Sequence, residues 1–185
     1  AESELTGFGG RPAHQIYPPG FVGALPPERE RRVFSDIQRR AEAGKLPRKL
    51  IGFASQGVMM SGAAQWVRGV LERAGAVADI SVMPYSEYQR RQEALDHDFV
   101  VVMTGMNSMD PAGSLLTLLS PKSGIIPDPG GALNSLLQRA VEVGPDKRPA
   151  VLHEVSEALI RDGRVVPFVH YGSIIVSSPD VIARP

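Results

Sequence analysis

Chemistry in a protein starts from groups that hold a metal, pass a proton or attack an electrophile. This chain is short of all three. Its four histidines, His14, His97, His153 and His170, lie far apart, and it has no cysteine. His153-Glu154-Val155-Ser156-Glu157 matches half of an H-E-x-x-H metal helix, but Glu157 stands where the second histidine would be. A solvated helix face explains the run. Gly52-Phe53-Ala54-Ser55-Gln56-Gly57 reads as a strand-to-helix turn whose backbone N–H groups could receive an anion, yet it has neither the Rossmann nor the P-loop spacing. No G-x-S-x-G elbow occurs. Asp96 and Asp98 flank His97 as a charged turn before an apolar run. No nucleophile, base and orienter converge, so no catalytic residue, cofactor or metal is expected.

Composition narrows the classes further. Apolar residues make up 43% and charged residues 22%, an ordinary globular balance for 185 residues. Twenty basic and 20 acidic side chains cancel, which argues against nucleic acid as a partner. Nor does it offer an electrostatic reason to sit on an anionic membrane. No apolar run approaches the roughly 20 residues that span a bilayer. The opening Ala1-Glu2-Ser3-Glu4 is not a signal peptide, so either a cytosolic protein or a processed or excised piece is expected.

The elements that must position any site follow from periodicity. Residues 1–27 are punctuated by Pro and Gly around Phe8, Tyr17 and Phe21, which predicts an arm without regular structure laid over a surface. A helix begins at Pro27 and stops near Gly44, with Glu28 and Glu30 at the positive end of its dipole and Val33, Phe34 and Ile37 as a modest stripe. Lys49–Ala54 reads as a buried strand, and Val58–Ala74 as a helix ended by Gly75. Asp79–Met83 follows as a strand with Ile80 and Val82 on one face, then a charged helix Tyr85–Leu95 and an apolar strand Phe99–Thr104. Strand, helix, strand, helix, strand means two βαβ units and a largely parallel sheet flanked by helices. Helices 111–119, 132–143 and 145–161 come next. Val165–Val169 and Ser173–Val176 then suggest an edge hairpin. The fold class is α/β, with residues 28–185 as one lobe and residues 1–27 as the arm.

In an open α/β sheet, ligands bind outside the carboxyl ends of the strands. Those ends hold Ser55, Gln56, Tyr85 and the run Met106, Asn107, Ser108, Met109 and Asp110. Asp110 is a natural N-cap as well as a candidate ligand contact. Met106 and Met109 suit a core or an adaptable pocket wall, while Asn107 and Ser108 would orient a ligand in an apolar cleft. Tyr85 and Tyr171 suit sheet-end packing equally well.

Several stretches, in order, resemble the C-terminal lobe of family 5 extracellular solute-binding proteins, the peptide and nickel binders of ABC importers. They are Ile16-Tyr17-Pro18-Pro19-Gly20, the helix and strand from Ala63 to Ile80, Pro84-Tyr85-Ser86-Glu87-Tyr88, Asp98 to Gly105, Asp110-Pro111, and Leu152 to Phe168 ending in Val166-Pro167-Phe168. The resemblance runs through nearly the whole chain. It implies the second lobe of a periplasmic-binding-protein clamshell, with residues 1–27 near the hinge. It also implies a periplasmic or extracellular location, an inner-membrane ABC permease as partner, and a first lobe, absent here, that closes over the ligand.

One departure bears on the ligand. Where the family has Trp after the glycine, this chain has Met106 after Gly105, and the acid that pairs with a peptide's α-ammonium group has no clear counterpart. The expected small-molecule ligand is therefore oligopeptide-like but modified, bulky or N-blocked. The alternative carried forward is a ligand-sensing domain of a bacterial transcriptional regulator, which reuses the same fold.

Overall fold

The computed structural model describes residues 10–43, 49–94, 96–105, 111–119, 125, 126, 128 and 130–171; for Phe34 and residues 37–43 it describes the backbone alone. In chain order the elements are β1 (Arg11–Pro12), α1 (Pro27–Ala43), β2 (Lys49–Ser55), α2 (Val58–Arg73), β3 (Val77–Met83) and α3 (Tyr85–Ala94). They continue with β4 (Phe99–Val101), α4 (Pro111–Leu119), α5 (Ala132–Glu142), α6 (Arg148–Arg161) and β5 (Val169–His170).

β2 is the centre of a three-stranded parallel sheet of order β3-β2-β4. Alternation along each strand sends neighbours to opposite faces, and both faces are apolar, as a parallel sheet covered on both sides requires. On one face Ala54, Ala78, Ile80 and Val101 pack with Met60, Ala63 and Ala64 of α2. On the other, Phe53 and Met83 pack with Tyr88 of α3, with Val100 beside them. Successive crossovers in opposite directions across β2 thus place α2 and α3 on opposite sides of the sheet. Gly52 pairs in register with Phe99, whose ring lies where a Cβ at position 52 would stand. Only glycine fits beneath that ring.

The larger core is helical. Leu115, Leu119, Leu133, Leu137, Ala140, Val151, Leu152, Val155 and Leu159 bring α4, α5 and α6 into one cluster. Leu137, Leu152 and Leu159 are fully buried, each contributing about 1.5–3 kcal/mol by removal of apolar surface from water. Tyr17 from the arm joins them and is itself buried. Asp128 accepts a bond from the Asn134 N–H at 2.9 Å and pairs with Arg164 at 3.5 Å, tying the α4–α5 connection to the chain beyond α6.

Three sequence expectations are corrected. The arm is not wholly irregular: Arg11–Pro12 pairs antiparallel with Val169–His170, and the Ala13 N–H donates to the Phe168 carbonyl at 3.2 Å. Ser173–Val176, the second strand of the expected edge hairpin, lies outside the described residues; within Val165–Val169 the described strand β5 takes in Val169 alone. β4 stops at Val101 instead of Thr104, the last β2–β4 pair being Ala54–Val101. Ile80 and Val82 share a face of β3 as expected, Ile80 buried and Val82 partly exposed near the strand's end. The last long helix begins at Arg148, not Pro145, after a turn in which the Lys147 and Arg148 N–H groups bond the Gly144 carbonyl.

Candidate functional site

The strand order reverses at β2, since β3 lies on one side and β4 on the other. A crevice opens outside the carboxyl ends of strands at such a switch point. Here the end of β2 turns sharply into α2 at Gly57, whose φ of 150° suits glycine. The Gln56 N–H donates to the Met83 carbonyl at 2.6 Å, fixing the ends of β2 and β3 together. Beyond Val101 the released chain carries Met103 and Thr104 outward, with Met103 54% exposed.

These ends frame an open depression of about 340 Å³. Of the residues that sequence reasoning singled out, Ser55 and Tyr85 are brought together in its wall. Gln56 is exposed beside it and does not line it. Met106, Asn107, Ser108, Met109 and Asp110 lie outside the described residues. From α3 sequence reasoning took only Tyr85 and missed Tyr88, Gln89, Gln92 and Glu93. Tyr85, Tyr88, Gln89, Gln92 and Glu93 all line the depression, opposite Thr117 and Leu118 of α4. Their spacing of i, i+3, i+4, i+7 and i+8 is that of one helix face, a signal open to view but hidden by reading the whole helix as a solvated, charged one.

Tyr85 is 63% exposed and stacks on Tyr88, with ring centroids 5.9 Å apart and planes 13° from parallel. Tyr88 in turn meets the Phe53 ring edge-on at 5.3 Å. A buried ring thus holds an exposed one in place. Burial, and then the neighbouring Tyr85, push the Tyr88 phenol up to about 12, so it stays protonated. Its hydroxyl finds no partner among the described residues. His97 packs edge-on against Phe53 at 4.6 Å, and burial lowers its pKa, which keeps the imidazole neutral.

The wall offers aromatic faces, two thioethers, hydroxyls, amides and one carboxylate. No histidine lines it beside Ser55, and among the described residues no group of three or more His, Asp or Glu is placed to hold a metal ion. Such a surface can hold and orient a small molecule in an apolar setting with a few polar contacts.

No protein-family model and no curated protein matches the chain. Solved structures do. The murein tripeptide-binding protein MppA of Escherichia coli matches with a TM-score of 0.70 at 18% identity, over 92% of this chain and 37% of that one. A dipeptide-binding protein from Pseudoalteromonas sp. SM9913, in complex with Met-Leu, matches with a TM-score of 0.70 at 17% identity, over 88% and 35%. AgaA from A. tumefaciens R10, in complex with agropinic acid, matches with a TM-score of 0.68 at 17% identity, over 91% and 38%. At these identities the likeness is one of fold. The chain spans little more than a third of the length of these proteins. Its fold is that of a single lobe of a periplasmic-binding-protein clamshell.

Proposed function

We propose that the chain is a ligand-capturing lobe of a family 5 extracellular solute-binding protein, the substrate-binding component of an ABC importer. The observation that carries this reading is the open depression at the sheet's switch point, lined by Tyr85, Ser55, Met103 and Thr104. The shared fold supports it. Met106 to Asp110 follow Thr104 and Gly105 directly in the chain, and we assign that run to the same ligand surface.

Function then follows from closure. Ligand settles on one lobe, a hinge lets the other lobe close over it, and the closed form presents itself to a membrane permease outside the cytoplasm. The arm of residues 1–27 belongs near that hinge. Because only the closed state contacts ligand on both sides, differential affinity drives the shift and no bond is broken. The lobe alone offers half of the contacts, so it binds weakly. The ligand is oligopeptide-like or a related small solute, as with the tripeptide, dipeptide and agropinic acid named for the matched proteins.

The test is a thermal-shift screen of the complete two-lobed protein against peptide, opine and sugar libraries. A stabilising ligand at micromolar concentration is expected, with the effect lost on closing the depression by Ser55→Trp. No stabilisation by any class would overturn the reading.

A further inference from the structure

α3 turns a face without aliphatic side chains into the depression. A helix face that packs on a neighbour repeats apolar residues at this spacing; here Tyr88 alone is buried, and Gln89, Gln92 and Glu93 follow it. The cations of the helix fall elsewhere. Arg90 and Arg91 do not line the depression, and Arg91 reaches Asp96 at 3.7 Å. Glu93 is therefore the single charged group among the described lining residues.

At the other end of the same face stands Tyr85, one ring face covered by Tyr88 and much of the rest open. An exposed aromatic face attracts a cation or stacks a planar group. A lone carboxylate attracts a cation and repels an anion. Two independent features thus call for one ligand chemistry. Eight residues along a helix separate them by about 12 Å, which about four extended peptide residues span.

Resting on the capture reading above, we infer that the site selects cationic oligopeptides, with a basic group paired to Glu93 and an aromatic or other planar group laid on Tyr85. The amides of Gln89 and Gln92 lie between, placed to bond peptide groups. The acid missing after Gly105 is thus supplied from α3, and it serves a basic side chain as well as a free amino terminus. An N-blocked peptide fits without loss.

The test titrates the isotopically labelled chain by NMR with acetyl-Phe-Ala-Ala-Arg-amide and acetyl-Phe-Ala-Ala-Glu-amide at low salt. Exposed charge pairs are weak, so the arginine peptide is expected to bind about fivefold tighter. Shifts should centre on the amides of Ser55, Tyr85 and Thr104, and Glu93→Gln should level the two affinities. Equal affinities at those amides in the unmodified chain would overturn the cation preference and leave the capture reading standing. Millimolar peptide that moves none of those amides would overturn the capture reading, and the preference with it.

Discussion

The Tyr17 hydroxyl donates to the Pro111 carbonyl at 3.2 Å, joining the arm to the first turn of α4 across 94 residues of chain. Since Tyr17 is only 2% exposed, the arm is part of the helical core. Tyr17→Phe should cost about 1 kcal/mol for the lost bond, and Tyr17→Ala about 3–5 kcal/mol for the emptied volume. Urea denaturation followed by circular dichroism reads both. A loss below 1 kcal/mol for the alanine variant would show the arm to be dispensable.

Gly52 and Phe99 make a second pair that cannot vary independently. Adding a methyl at position 52 drives it into the Phe99 ring, so Gly52→Ala should destabilise by about 1–3 kcal/mol. A Gly52→Ala, Phe99→Leu double variant should recover part of that loss, because the two changes share one space. Strict additivity in a denaturation cycle would refute the steric account.

Acid should weaken the junction of α1 and α6. Arg29 donates through Nε to Glu157 Oε1 at 2.7 Å, with Arg32 at 3.6 Å, and these partners hold the Glu157 carboxyl below its ordinary range. A carboxyl with a depressed folded pKa stabilises fully above its unfolded value, about 4.3, and loses that contribution as pH falls through the folded value. The stability gap between the unmodified chain and Glu157→Gln should therefore be constant from pH 7 to 5 and close below it. A gap that does not change at acid pH contradicts the assignment.

His97 acts in a different window. Burial lowers its folded pKa, so the unfolded chain takes up the proton first as pH falls. Its effect is a loss of stability below the ordinary histidine value, about 6.5, that grows until the folded form also protonates. His97→Phe, which keeps a ring against Phe53, should flatten the stability profile between pH 6.5 and 5. An unchanged slope would point to another group.

Tyr85 separates binding from folding. At 63% exposure its removal costs little core, so Tyr85→Ala should leave the unfolding midpoint almost unchanged. Loss of an aromatic hot spot should weaken ligand capture by about tenfold. Equal capture by the variant, measured by calorimetry on the two-lobed protein, would remove Tyr85 from the site.

Periodicity made much of this fold readable. The apolar run Leu50–Ala54 and the stripe of Ala63, Val67 and Leu71 locate β2 and α2, and two short crossovers imply the parallel sheet. Pro111 opens α4 where a proline belongs. The β1–β5 pair was not readable, since a two-residue strand has no period and exists only because the arm docks there. Met103 and Thr104 continue an apolar run, and only the end of the β2–β4 pairing at Val101 reveals that they leave the sheet. The face of α3 that lines the depression was not readable for a physical reason: glutamines and a glutamate turned toward a depression look, in sequence, the same as those turned toward water.

The most direct test of the central claim is mass spectrometry of small molecules released on denaturing the complete protein, purified without added ligand. A defined peptide-like solute, released in near-equal proportion to protein and in smaller proportion after Tyr85→Ala, is the predicted result. Protein that comes away empty, and gains no solute from an extract of its own growth medium, would contradict it.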